Sequence, residues 1–388
     1  MAELHVPDDA VVLDGPLAGD PLDLLPRLTR ALGREGPAVV VRTSGSTGRA
    51  KRTVLTTDAL AASSLATAVR TGGVGQWLLA LPAHHVAGLQ VLVRSLYAGT
   101  TPEVLDPAAR FTPGAFAAAV QEMKDPVRFA SLVPTQLQRI LQPASGPRDG
   151  DAVAALKSFQ AVLLGGSAAP PALLRAAREA DVNVVTTYGM SETCGGCVYD
   201  GVPLDGVAVR IGAPGADDDA PAPGAPRPAG PGRIWLGGAV VAAGYAGDPE
   251  QTARHFRDAG GTRWYRTDDL GELSPEGVLS VHGRVDDVVN TGGVKVSAGL
   301  VTAALLRHPA VRQALVLGVP DPEWGQAVGA AVVAVPGADR EALRAELAET
   351  VRGEHGAAAV PRRWAWPDEL PLLPTGKPDR AAVAALLG

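Results

Sequence analysis

The chain has 388 residues, 46% hydrophobic and 20% charged, which suits a folded protein of more than one domain and excludes wholesale disorder. Its 35 Lys plus Arg against 41 Asp plus Glu leave a net charge of -6, the wrong balance for a nucleic-acid-binding face. Two cysteines, Cys194 and Cys197, exclude a disulfide framework, and no apolar run reaches the ~18 residues of a membrane span.

The opening residues lack a basic segment followed by an apolar one, and with so few cysteines the expected setting is reduced and cytoplasmic. Aromatics are only 4% of the chain, so the core must be built from Ala, Val and Leu. In chain order, an apolar run predicts a strand over 37–42, which leads into the small-residue stretch TSGSTG (43–48). Helical spacing follows over 58–70, 116–123 and 171–180. A second buried strand at 161–164 runs into Gly165-Gly166-Ser167, and a third at 182–187 into YGMSET (188–193). Strand, Gly-rich turn and helix in repetition predict an α/β sheet covered on both faces, with its ligand where strands end. The three turns are expected to meet at one site.

The segment 214–232, rich in Pro and Gly, predicts a solvated loop. Beyond it, short strands at 233–236 and 277–281 precede a change of pattern past residue 283. A helix over 298–307, strands over 314–319 and 328–335, and a helix over 339–352 predict a small α+β domain of about 100 residues.

TSGSTGRAK (43–51) is the strongest local signal. Gly45 and Gly48 let successive backbone N–H groups form an anion nest, and Lys51 adds a point charge. The Gly-Lys-Ser/Thr ending of a Walker loop is missing. In YGMSET, the lone carboxylate of Glu192 among hydroxyls suits one Mg²⁺ carried in with phosphates; the plainer reading is a helix start capped by Ser191. Cys194-Gly-Gly-Cys197 reads as small pocket-lining residues, because zinc would need four ligands and no second pair exists. His84 and His85, Asp268 and Asp269, and Asp286 and Asp287 are pairs that carry little weight alone. Lys377, near the C-terminus, would ordinarily be a solvated tail residue.

Nine segments in order resemble the acyl-adenylate-forming family of acyl- and aryl-CoA synthetases, luciferases and peptide-synthetase adenylation domains. They are TSGSTGRAK (43–51), LPAHHVAGL (81–89), LLGGSA (163–168), YGMSET (188–193), GYAGDPEQT (244–252), YRTDDLGEL (265–273), GRVDDVVNTGGVKV (283–296), VPDPEWGQ (319–326) and PTGKPDR (374–380). The resemblance implies a large N-terminal α/β adenylate-forming domain, 1–283, and a small mobile α+β C-terminal domain, 287–388, hinged near Asp286. It implies a ligase in which a carboxylate attacks the ATP α-phosphate, giving acyl-AMP, and coenzyme A then displaces AMP. Under it, Thr43, Ser44, Gly45, Ser46, Thr47, Gly48 and Lys51 hold phosphates, while Gly165, Gly166 and Ser167 flank adenine. Tyr188 and Gly189 lie at the base, Ser191 meets phosphate and Glu192 supports Mg²⁺. Asp269, helped by Arg284, holds the ribose. His85 lines the acyl pocket, Lys377 bridges carboxylate and α-phosphate, and Gly292 and Gly293 border a CoA tunnel.

The implied partners are a small-molecule carboxylate, ATP and CoA, with room for a homodimer. Two departures stand out: Asp268 where the family commonly has Gly, and Arg52 where Gly usually follows the loop lysine. The front is short, with the phosphate loop starting near residue 43. That compact form resembles a branch of the family acting on o-succinylbenzoate in menaquinone biosynthesis. Other small acyl-CoA synthetases, a free-standing adenylation enzyme loading a carrier protein, and a silent nucleotide-binding homologue are the alternatives.

Overall fold

The computed structural model describes residues 4–43, 50–106, 110–142, 149–212, 231–373 and 376–388. The expected mixed α/β architecture is present, in four sheets rather than one N-terminal sheet plus a small domain. At the centre is a seven-stranded sheet in the order Val202–Pro203, Gly195–Tyr199, Val184–Met190, Ala161–Leu164, Arg128–Leu132, Gln76–Leu79, Glu103–Val104. The last five of these pair in parallel. Side chains alternate across each strand, so Trp77, Phe129, Ala161 and Leu163 enter one core, while Leu78, Ala130, Val162 and Leu164 enter the other. Both faces are buried, as a parallel sheet requires.

The strand expected at 37–42 runs over Pro37–Thr43 and belongs elsewhere. It pairs with Val11–Leu13 and Lys51–Thr56 in a separate four-stranded sheet that ends on Gly244–Tyr245. A run of four valine and alanine residues shows burial but carries no information about its pairing partner. The strand expected at 182–187 also continues through Tyr188 and Gly189 to Met190. The turn is confined to a 3₁₀ segment, Ser191–Thr193, capped by Met190 rather than by Ser191.

Helices Thr57–Thr71 and Val86–Ala98 pack together in the first core. The former begins with Thr56 Oγ1 accepting from Ala59 N at 3.2 Å and stops at Gly72, φ +80°. Such a cap contributes about 1 kcal/mol. A third sheet holds Val207–Gly212, Gly232–Gly238, Thr262–Leu273 and Phe256–Ala259, with Leu279–Arg284 paired on Thr262–Leu273. Of the loop expected at 214–232, only Pro231 and Gly232 are described, and Gly232 opens a strand.

After a 3₁₀ turn at Val285–Asp287, the chain enters the fourth sheet, ordered Val294–Ser297, Val288–Thr291, Gly325–Ala334, Val311–Asp321, with Arg363–Ala365 beside Gly325–Ala334. Helices Ala298–Leu306 and Arg340–His355 cover it around Val301, Leu305, Leu343 and Leu347. This C-terminal unit touches the central sheet's helices through Gln138 Nε2, which donates to Arg312 O at 3.2 Å, and Arg312 Nη2, which donates to Gln142 O at 2.7 Å. No helix among the described residues is long and apolar enough to cross a membrane.

Candidate active site

Residues of three sheets and of the C-terminal loop approach one another. At the end of Ala161–Leu164, Gly165 lies so close to the next strand that a Cβ would stand 2.4 Å from Thr187 Oγ1. Gly166 has φ +87°, and its missing Cβ would stand 3.9 Å from Cε of Lys377. The C-terminal lysine is therefore brought to the glycine turn some two hundred residues upstream. Its loop is held by Leu373 N donating to Lys377 O at 2.8 Å, and by Gly376, whose φ of +78° suits its close approach to Val133.

The Tyr188 hydroxyl donates to Asp269 Oδ2 at 2.7 Å, joining the Val184–Met190 strand to the third sheet. Burial raises the Asp269 carboxyl above the usual range, and Asp268 and Asp286 push the same way, against the Tyr188 hydroxyl and Arg284. Arg284 stands 3.6 Å from Asp269 and grips Asp286 with Nε at 2.8 Å and Nη2 at 3.2 Å. Asp268 turns to Arg233 Nη1 at 3.1 Å, so the departure at this position is neutralised. Arg52 pairs outward with Asp14 at the surface, Nε to Oδ1 at 3.0 Å, where such a pair contributes at most about 1 kcal/mol.

Lys377 is exposed along much of its length, yet its ammonium group sits among Asp269, Glu192 and Arg284. Loss of water lowers its pKa, Arg284 adds to this, and the two carboxylates oppose it. Glu192 is buried at 7% exposure and accepts from the Tyr245 hydroxyl at 2.8 Å. It makes no ion pair among the described residues. Tyr245 is the residue that sequence reasoning left without a role: Lys51 Nζ lies 5.0 Å from its ring centroid, and the Tyr265 hydroxyl is 3.4 Å from its own. The signal available was only that both tyrosines stood in quoted segments. A buried carboxylate with one hydroxyl donor, and no direct ion pair among the described residues, has the character of a ligand for a divalent ion that arrives with phosphates.

Thr43 is hydrogen-bonded to Lys51 O at 3.3 Å, whereas Ser44, Gly45, Ser46, Thr47 and Gly48 lie outside the described residues. Ser167 is exposed beside Gly166, and Ser191 is buried next to Glu192. Gly189 passes Gly195 O where a Cβ would stand 2.1 Å away. Gly292 and Gly293 form the tip between Val288–Thr291 and Val294–Ser297, and Gly292 packs on Trp324 while Gly293 faces open space, so they belong to the fourth sheet rather than to the Lys377 cluster.

His85 starts the Val86–Ala98 helix, with its ring centroid 4.1 Å from that of His84. Burial, with His84 and Lys377 as like charges, lowers its pKa to about 4. The folded protein therefore takes up this proton only near pH 4, whereas the unfolded chain takes it up near the ordinary 6.5. Between those values the unfolded state binds more protons, so stability falls as pH drops from 6.5 to 4. His85→Asn is expected to flatten that part of the melting-temperature profile; an unchanged slope would contradict the assignment.

Cys194 and Cys197 are free and fully buried, and burial raises both thiols, Cys197 to about 12. Among the described residues no group of three potential ligands could hold a metal, and both cysteines pack inside the first core. Iodoacetamide at pH 8 should leave both thiols unmodified in the folded protein and alkylate both in denaturant, as counted by mass spectrometry. Labelling of the folded chain would show that they are accessible.

Residues 4–246 match the family of AMP-binding enzymes, and residues 301–377 match the AMP-binding enzyme C-terminal domain. The chain belongs to the AMP-binding enzyme family. It is 44% identical over 351 residues to a probable 2-succinylbenzoate–CoA ligase of Mycobacterium tuberculosis, covering 89% of this chain and 83% of the relative. Among solved structures it resembles the o-succinylbenzoate CoA synthetase MenE of Bacillus subtilis in complex with the acyl-adenylate intermediate OSB-AMP. That match has 28% identity, TM-score 0.70, and covers 90% of this chain and 69% of that one. The amide bond synthetase McbA of Marinactinospora thermotolerans matches with 30% identity and TM-score 0.73, over 91% and 70% of the two chains.

Proposed function

We propose that the protein is an AMP-forming acid–CoA ligase that converts o-succinylbenzoate, ATP and CoA into the aryl thioester, AMP and pyrophosphate, as a step toward menaquinone. The observation that carries this reading is Lys377 standing against Gly166, within the field of Asp269 and Glu192. In-line attack of a carboxylate on the α-phosphate builds negative charge at phosphorus, and a preorganised ammonium offsets what develops there. Lys377 supplies that charge. Little proton transfer is required, which suits His85 being neutral at physiological pH.

The remaining roles are those the family resemblance implies. Gly165 and Gly166 leave a side-chain-free ledge for adenine, flanked by Ser167, with Tyr188 and Gly189 at the base. Asp269 accepts from the ribose hydroxyls, oriented by Tyr188 and Arg284. Lys51, with Thr43 and the Ser44–Gly48 segment, meets the outer phosphates; Ser191 donates to phosphate. Glu192, positioned by Tyr245, would hold Mg²⁺, which when bound neutralises phosphate charge and helps pyrophosphate leave. The two units, 1–283 and 287–388, turn about Asp286, after which Gly292 and Gly293 border the CoA thiol's path.

A pyrophosphate-release screen over o-succinylbenzoate, simple benzoates and fatty acids tests the substrate. Release is expected with o-succinylbenzoate, requiring Mg²⁺, and AMP plus thioester should appear with free CoA and no carrier protein. Release with long-chain fatty acids alone would overturn the substrate while leaving the adenylating chemistry in place.

A further inference from the structure

Lys377 lies in a hairpin whose own bonds are local. Leu373 N donates to Lys377 O at 2.8 Å, Leu372 pairs antiparallel with Pro378, and Asp379 N donates to Pro371 O at 2.8 Å. These contacts close the hairpin on itself and leave its aim open. Its foot is Leu370, 5% exposed, which belongs to the core built on Leu317, Val319 and Val333 of the C-terminal unit. The aim must therefore come from what that foot and the hairpin meet across the junction with the N-terminal unit.

One helix supplies two points of contact. Pro134–Leu141 is fixed in the second core by Leu137, Ile140 and Leu141, all fully buried. At its start, a Cβ on Gly376 would stand 2.8 Å from Val133 and 3.7 Å from Thr135 Oγ1. Five residues beyond Val133, about 7.5 Å along the helix, Gln138 is 4% exposed and spends both ends of its amide on the C-terminal unit. Gln138 Nε2 donates to Arg312 O at 3.2 Å, and Gln138 Oε1 accepts from Gln313 Nε2 at 2.7 Å. Gln313 Oε1 in turn accepts from Leu370 N at 3.3 Å, at the foot of the hairpin. The direction of this relay is fixed at both ends. A backbone N–H can only donate and a backbone carbonyl can only accept, so each amide has a single productive orientation.

We infer that Gln138 and Gln313 are positioning residues for the adenylation step. Their amide relay carries the placement of the Pro134–Leu141 helix to Leu370, keeps the hairpin on Val133, and so sets Lys377 over Gly166. Neither glutamine touches a residue assigned to ATP, the acid or Mg²⁺, so both act through Lys377 alone. This inference rests on the ligase reading and adds the residues that aim its lysine.

The test measures two rates separately: pyrophosphate release with o-succinylbenzoate, and thioester formation from preformed acyl-AMP and CoA. Wild type is compared with Gln138→Ala, Gln313→Ala, the double variant, and Gln313→Ala combined with Lys377→Ala, with melting temperatures alongside. Each single variant should lower kcat for pyrophosphate release by about 10-fold, part of the ~10²-fold that a misplaced reacting group can cost, with KM for the acid nearly unchanged. The double variant should lose no more than Gln138→Ala alone, because one relay is broken once. Added to Lys377→Ala, Gln313→Ala should cost nothing further, and the thioester step should stay near the normal rate in both single variants. Gln313 is half-buried, so its variant tests the relay even where Gln138→Ala lowers the melting temperature. Equal loss of both rates, a further loss in the Lys377→Ala background, or undiminished release by Gln313→Ala would each overturn the inference. No release by wild type overturns the ligase reading itself, a result distinct from these.

Discussion

Replacing Lys377 by Ala is expected to reduce acyl-adenylate formation by about 10²–10³-fold, the cost of removing one preorganised charge donor from a developing oxyanion. Thioester formation from preformed acyl-AMP and CoA should proceed near the normal rate. The separation follows from position. Lys377 reaches Gly166 only because the C-terminal loop lies on Val133, and nothing in the fourth sheet's own core depends on the lysine. Its depressed pKa arises from a site that withholds water, so bringing ATP's negative charge beside it raises the protonated fraction. A variant that lost both half-steps equally would place Lys377 in the scaffold rather than in the first step.

The second large effect concerns Asp286. Its carboxylate is gripped by Arg284 on both oxygens, and it lies in the single 3₁₀ turn between the third and fourth sheets. Proline is compatible with the φ of such a turn but resists leaving it. Asp286→Pro should therefore support adenylation while slowing thioester formation by on the order of 10²-fold, the usual cost of misplaced reacting groups. Asp286→Ala is the control: it removes the Arg284 fork but leaves the backbone free to turn, so its thioester step should remain much faster. Equal rates for the two variants in stopped assays of AMP release would argue against rotation at this residue.

How much of this was readable beforehand differs by residue. Ala161–Leu164 and the glycines after it were legible because a run of only four apolar residues closed by a Gly pair is too short for a helix and reads as a buried strand with its end marked. The sheet membership of Pro37–Thr43 was not, because pairing is decided by partners far along the chain: Gly244 and Tyr245 complete that sheet from two hundred residues away. Tyr188 looked like part of a turn because Gly189 follows it. In the fold Gly189 extends the strand, since the absent Cβ lets Gly195 pass. Tyr245 and Gln138 were silent for another reason. A tyrosine before a Gly-rich stretch and a glutamine in a short helix both read as ordinary residues until burial shows what surrounds them.

The candidate site itself was legible only as separate segments. Gly166, Tyr188, Asp269 and Lys377 span more than two hundred positions, and no local pattern states that they meet. Ordered motifs suggested it, and the Tyr188–Asp269 hydrogen bond with the Lys377–Gly166 approach gives it a geometry.

The most direct measurement is a single-turnover reaction of the purified protein with o-succinylbenzoate, ATP and Mg²⁺, quenched and read by mass spectrometry before and after addition of CoA. The proposal predicts an aryl acyl-AMP adduct with stoichiometric pyrophosphate before CoA is added, and its conversion to AMP and the CoA thioester afterwards. Formation of ADP and phosphate, or a thioester that appears with no AMP adduct preceding it, would contradict it.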